Sequence, residues 1–163
     1  MMGCGKTTVA ALLGEKLRWE TVDTDAWLEE EHGSIARIFA EHGEAYFRNL
    51  ERQTAKRIAT LDRRIVSVGG GFVLQEENVA LLKANGTFVY LRAKKETLEK
   101  RLTKDDSRPL LQGGNLSARL ESLLSERSAI YESVADCIVD VDEKSPAEIA
   151  DEIIRKLQIN REN

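Results

Sequence analysis

The sequence predicts an α/β protein built on a doubly wound parallel sheet, and three observations carry that prediction. Short apolar runs alternate with segments of helical periodicity along all 163 residues. The apolar runs "RIVSV", "TFVYL" and "CIVDV" are continuous rather than alternating, as expected of strands covered by helices on both faces. Polar residues follow the strands: "DTD" comes after "ETV" and "GGG" after "IVSV". That placement suits a sheet that collects ligands beyond the carboxyl ends of its strands.

The elements follow in order. "TTVAALLGEKL" (7–17) has apolar residues at helical spacing. "WETVDTDAW" holds a short strand ending in two aspartates, Asp23 and Asp25. "GSIARIFAEHG" reads as a helix with Ser34 as N-cap and Gly43 as its stop, and "EAYFRNLERQTAKRIATL" as a longer helix with mixed charges outside. The strand "RIVSV" runs into Gly69, Gly70 and Gly71. "ENVALLKANG" is a helix closed by Asn85 and Gly86, "TFVYL" a strand and "KKETLEKRL" a helix. "TKDDSRPLLQGGN" is a polar loop, "LSARLESLLSERSAIY" a helix and "CIVDV" the last strand. "SPAEIADEIIRKL" starts with Ser145, Pro146 and Glu148 in the order of a capping box with proline at the first helical position.

Composition narrows the function. With 42% hydrophobic and 32% charged residues the chain can build one core under a solvated surface. A net charge of -4, with the two signs interspersed, argues against nucleic acid as a partner. No apolar run approaches membrane-spanning length and no leader resembles a signal peptide, so a cytoplasmic protein that binds no membrane is expected. Cys4 and Cys137, far apart, give neither a disulfide framework nor metal-ligand spacing.

"GCGKTT" (3–8) is most of a phosphate-binding loop, G-x-x-x-x-G-K-[ST]. Glycines let consecutive backbone N–H groups face a phosphate, and the following helix offers its positive end. Lys6 would reach the β- and γ-phosphates and the Thr7 hydroxyl would ligate Mg²⁺. The plainer account is a helix start that happens to contain Gly-Lys-Thr; the α/β alternation behind the loop favours the first. The pattern's leading glycine would fall before Met1, and no strand precedes the loop. The expectation is that the true protein begins upstream, with Met1 an internal methionine, rather than that the chain is a damaged copy. As given, the chain is expected to be a doubtful catalyst.

Asp23 and Asp25 would both face one cleft if the strand stayed extended, one serving the Mg²⁺ shell and the other a hydroxyl proton. The alternative for Asp25 is N-cap of "AWLEEE". Three consecutive glycines are costly in backbone entropy, so Gly69, Gly70 and Gly71 point to a close approach by a ligand rather than a tight turn. Arg48, Arg108 and Arg127 are candidates for anion recognition by the forked guanidinium, although most arginines on helices are solvated surface. Cys4 reads as a small loop residue, and His32 and His42 as surface residues.

In order, "GCGKTT", "DTD", "FR", "GGG", "RPLL" and "ER…Y" resemble the shikimate kinase family along essentially the whole chain. The resemblance implies a single domain over 1–163 with a three-layer P-loop kinase fold, a parallel sheet lacking its first, central strand, and a mobile lid at about 104–115. It implies transfer of the ATP γ-phosphoryl group to the 3-hydroxyl of shikimate, toward chorismate and the aromatic amino acids, by a monomer with Mg²⁺. By that resemblance Gly3, Cys4, Gly5, Lys6, Thr7 and Thr8 bind phosphates, with Thr7 and Asp23 on Mg²⁺. Asp25 holds shikimate hydroxyls and acts as base, Arg48 and Arg127 grip the carboxylate, and Gly69, Gly70 and Gly71 line the pocket. Arg108 swings in with the lid, while Arg101 and Pro146 flank the adenine. A gluconate kinase-like enzyme of small metabolites and a truncated, non-catalytic binding module are the alternatives. Nucleoside-monophosphate kinases share the fold, but the aspartate pair and the two arginines suit a hydroxy acid better.

Overall fold

A computed structural model describes residues 1–103 and 116–159. The expected lid, and Arg108 within it, lie outside the described residues. Four short strands alternate with helices: α1 (Lys6–Leu17), β1 (Glu20–Asp23), α2 (Thr24–His32), α3 (Ile35–Ile58) and β2 (Arg64–Ser67), then a 3₁₀ turn at Phe72–Leu74. They continue with α4 (Glu76–Lys83), β3 (Val89–Arg92), α5 (Lys95–Leu102), α6 (Leu116–Val134), β4 (Cys137–Asp140) and α7 (Pro146–Lys156).

Every strand pairing is parallel, as the continuous apolar runs predict. β1 pairs with β2, setting Asp23 opposite Ser67, and β3 pairs with β4, setting Arg92 opposite Asp140. The two pairs are not hydrogen-bonded to one another, so the described strands form two separate two-stranded sheets. Ile65 and Val66 on β2 are only half-buried, whereas Val139 on β4 is fully buried.

The main core joins Val9, Leu13 and Leu17 of α1 to Tyr90, Leu91, Val139 and Ile153. Each such side chain contributes about 1.5–3 kcal/mol by leaving water. The α7 helix begins as its sequence dictates. Ser145 Oγ accepts from Glu148 N–H while the Glu148 carboxylate accepts from Ser145 N–H, and Pro146 opens the helix. Its buried face, Ile149, Ala150, Ile153 and Ile154, packs on α1. A smaller cluster of Leu28, Ile38, Phe47 and Leu50 fixes α2 against α3. Gly43, expected to stop a helix, has φ 80 and ψ 176 and kinks α3 there. That left-handed value is open to glycine at little cost.

Candidate functional site

The turn before α1 is shaped by its glycines. Gly5 caps the helix at φ 90, ψ 21, a conformation L side chains rarely adopt, so the chain reverses directly into the Lys6 N–H. Cys4 is buried and its thiol donates to the Met1 carbonyl at 3.0 Å, so it packs the loop from inside. Lys6 Nζ donates to the same carbonyl at 2.8 Å. Thr8 is exposed on the first turn of α1. From the far side Arg101 reaches over, donating to the Cys4 carbonyl at 3.2 Å and to the Val141 carbonyl at 3.2 Å. Arg101 therefore bridges the loop to the end of β4, close in sequence to Pro146 at the start of α7.

The aspartate pair differs from expectation. Asp23, not Asp25, is the N-cap of α2: its Oδ1 accepts from Asp25 N–H at 3.1 Å and Ala26 N–H at 3.2 Å. The chain turns helical at Thr24, so Asp25 leaves the extended path that would have alternated it with Asp23. The cause is local, because a carboxylate that satisfies two first-turn N–H groups favours the helix. Asp23 still serves the loop: its other oxygen accepts from Thr7 Oγ1 at 3.0 Å. A hydroxyl and a carboxylate thus meet at the N-terminal end of α1. Magnesium commonly takes one or two carboxylates and completes its shell with waters and substrate phosphates. The pair fits such a partly protein-bound ion. Among the described residues no group of three or more His, Cys, Asp or Glu is assembled to hold a metal alone.

Gly69, Gly70 and Gly71 each lie under a different side chain. A Cβ on Gly69 would sit 2.6 Å from Asp25 Oδ1, and one on Gly71 2.5 Å from Arg48 Nη1. A Cβ on Gly70 would sit 3.3 Å from the Tyr131 hydroxyl and 3.8 Å from Arg127 Nη1. The close approach read from the sequence is therefore made by the protein's own functional groups, which rest on a surface without Cβ atoms. None of the three has a left-handed φ.

These elements enclose a cleft of about 460 Å³ whose walls include Lys6, Thr7, Asp23, Asp25, Gly70, Gly71, Arg127 and Tyr131. Arg48 lies against Gly71, so the structure brings Lys6, Asp25 and Arg127 to one cleft and sets Arg48 beside it, outside the lining residues. Arg48 is held firmly: Nη1 donates to Glu51 at 2.7 Å, and Nη2 and Nε donate to Glu44 at 2.9 and 3.2 Å. Glu51 is 2% exposed, and burial pushes its carboxyl above the usual range while Arg48 opposes that shift. Proximity to Asp25 pushes it the same way as burial. Sequence reasoning missed Glu51; its signal was the Arg48 to Glu51 spacing of three, which puts opposite charges on one helix face. It also missed Thr24, fully buried, whose Oγ1 accepts from Gly69 N–H at 3.1 Å. His32 and His42 are exposed, as expected. No helix of the described residues is long and apolar enough to cross a membrane.

Comparison with known proteins places this geometry. The family model described as Shikimate kinase matches residues 2–158. A shikimate kinase of Caldicellulosiruptor bescii is 41% identical over 94% of this chain and 89% of its own length. One of Moorella thermoacetica is 42% identical over 96% of this chain and 90% of its own. The structure of shikimate kinase from Acinetobacter baumannii in complex with shikimate superposes with a TM-score of 0.89 at 32% identity, covering 99% of this chain and 91% of that one. A sugar kinase from Janibacter, at 18% identity and a TM-score of 0.64, shares the fold.

Proposed function

The chain belongs to the shikimate kinase family, and from that premise we propose that it transfers the ATP γ-phosphoryl group to the 3-hydroxyl of shikimate, giving shikimate 3-phosphate and ADP. The observation that carries the reading is a single cleft walled by Lys6, Asp25 and Arg127, with Arg48 against Gly71. An ammonium suits a polyphosphate tail, and a carboxylate near two guanidinium groups suits a hydroxylated acid.

In the transfer the acceptor oxygen bonds to the γ-phosphorus as the bond to the β,γ-bridging oxygen breaks, and the hydroxyl proton passes to Asp25. Lys6 leaves the Met1 carbonyl for the phosphates and stabilises the charge moving between them. The backbone of Gly3, Cys4 and Gly5 with the start of α1 supplies N–H groups to the phosphates, joined by Thr8. Thr7 and Asp23 would hold Mg²⁺, which when bound neutralises phosphate oxygens. Arg48 and Arg127 take the acceptor carboxylate as charge-assisted forks. Arg101 and Pro146 flank the adenine.

The test is an ADP-release assay with shikimate, gluconate and other hydroxy acids, on the chain as given and on one extended ahead of Met1 by an apolar strand ending in glycine. Turnover with shikimate alone is expected. Turnover of gluconate but not shikimate would assign the gluconate-type reading. Calorimetric shikimate binding with no ADP formed by either chain would leave a binding module.

A further inference from the structure

The Gly69–Gly71 turn is tied to the two sides of the cleft by two side-chain hydroxyls. On one side the Thr24 hydroxyl, next in sequence to Asp25, accepts from Gly69 N–H at 3.1 Å. On the other, the Tyr131 hydroxyl donates to the Gly70 carbonyl at 2.9 Å. Tyr131 lies four residues after Arg127 on α6, so the two share a helix face. Both converge on Gly70, within 3.3 and 3.8 Å of the same point above its Cα. The Tyr131 ring is buried and packs, tilted, against Tyr90 of β3 at 5.3 Å between centroids, which restricts where the hydroxyl can point. Burial also raises the phenol above its usual range, against an opposing effect of Arg127, so at neutral pH it remains an O–H donor.

We propose that Tyr131 is a positioning residue for the acceptor: its hydroxyl pins the Gly70 carbonyl and so sets the spacing between the Arg127 guanidinium and the Asp25 carboxylate. Thr24 is the opposing pin. This inference rests on the functional reading above. Its geometry is that of a strut, because the distance between a carboxylate grip and a hydroxyl grip has to match one acceptor. Neither hydroxyl touches the reacting atoms, so losing one loosens acceptor binding without removing a chemical group.

Tyr131→Phe deletes only the hydroxyl and keeps the ring on Tyr90. The loss of one neutral hydrogen bond is expected to raise the shikimate KM about threefold to tenfold, with kcat within about twofold and the MgATP KM unchanged. Thr24→Val should have the same signature, and Thr24→Ser, which retains the acceptor oxygen, should restore the wild-type KM. Independently of any acceptor, glycine-selective ¹⁵N spectra should show the amide signals of Gly69, Gly70 and Gly71 displaced or broadened in Tyr131→Phe. A shikimate KM unchanged in Tyr131→Phe, or equal losses in the KM values for both substrates with a lowered Tm, would overturn the proposal. Unaltered glycine signals would also overturn it. A wild-type chain that binds no shikimate would refute the functional reading instead, with the glycine spectra still deciding whether Tyr131 holds the turn.

Discussion

Substituting Gly71 by alanine separates two explanations of the triple glycine. At Gly71 the backbone has φ -86 and ψ -15, a right-handed conformation open to any L residue. Alanine therefore adds no backbone strain, and by restricting the unfolded chain it favours folding by about 0.4–1 kcal/mol. The obstacle is Arg48, since the new Cβ would lie 2.5 Å from Nη1, 3.0 Å from Nη2 and 3.1 Å from Cζ. Ordinary contact between such atoms is about 3.5–4.0 Å, so the guanidinium must withdraw by about 1 Å. Glu51 and Glu44 resist that withdrawal through bonds of 2.7 and 2.9 Å. A displaced guanidinium forfeits much of a charge-assisted hydrogen bond of about 1.5–3 kcal/mol to the acceptor carboxylate. At about 1.4 kcal/mol per decade, shikimate KM should rise between about tenfold and a hundredfold. The assay is coupled ADP release with shikimate varied at saturating MgATP, run beside a thermal melt. The expected result is that rise in shikimate KM with the MgATP KM and Tm nearly unchanged. Gly70→Ala, whose nearest contact is the Tyr131 hydroxyl at 3.3 Å, should be milder. A Tm lower by several degrees with shikimate KM unaltered would refute the reasoning, because the glycines would then serve the turn and not Arg48.

Arg127→Ala should raise shikimate KM at least about tenfold and leave the MgATP KM alone, and an unchanged shikimate KM would remove Arg127 from the site. Lys6→Met should cut kcat by about 10²–10³ while calorimetry still detects shikimate, as expected of a group stabilising charge in the transition state. Acid should destabilise the fold. Asp136 is held below its ordinary range first by the Phe88 N–H and also by Lys83, and Asp140 by Arg92. Carboxyls lowered on folding contribute stability that is present above their unfolded pKa and lost as pH falls through the folded value. Tm should thus drop below about pH 4, and less steeply for Asp136→Asn; an identical acid slope would exclude Asp136 as a contributor. Glu51, raised by burial, has the opposite sign: its contribution is present below the unfolded value and lost as pH rises through the folded one. Glu51→Gln should remove that component. Finally, an apolar strand fused ahead of Met1 should protect backbone amides on one edge of each strand pair from hydrogen exchange, and exchange unchanged in both pairs would show that it joins neither.

Features governed by neighbours in sequence were legible. The Gly5-Lys6-Thr7 turn, the Ser145–Glu148 capping box and the Gly43 kink all follow from local backbone preference and local hydrogen bonds. The parallel pairing was legible from apolar runs, because strands shielded by helices have no polar face to display. The aspartates misled for a local reason too, since a strand that continues and an Asp that caps a helix look the same until the N–H partners are known. What stayed hidden depends on partners far apart along the chain. Thr24 meets Gly69 across 45 residues and Tyr131 meets Gly70 across 61, and nothing near either hydroxyl announces the match. Glu51 was hidden otherwise: on a charged helix a buried acid and a solvated one share a residue type, and only packing separates them.

Burial of Glu51 also explains why an arginine, rather than a lysine, stands at position 48. The guanidinium has five N–H groups in a fixed plane, and three of them are engaged, on Nε, Nη1 and Nη2, by Glu44 and Glu51. One N–H on each terminal nitrogen remains for an acceptor, the spacing of a bidentate carboxylate fork. A lysine ammonium could hold Glu51 or an acceptor, but it has no fixed second edge with which to do both. The two glutamates also offset the arginine charge, which limits its attraction for a bare anion. Arg48 therefore favours a ligand whose carboxylate matches the fork in direction, and the Cβ-free Gly71 lets the guanidinium lie against the cleft wall. On the proposed function, selectivity for a hydroxylated acid over a phosphate would follow from how Arg48 is held more than from how much positive charge the cleft contains.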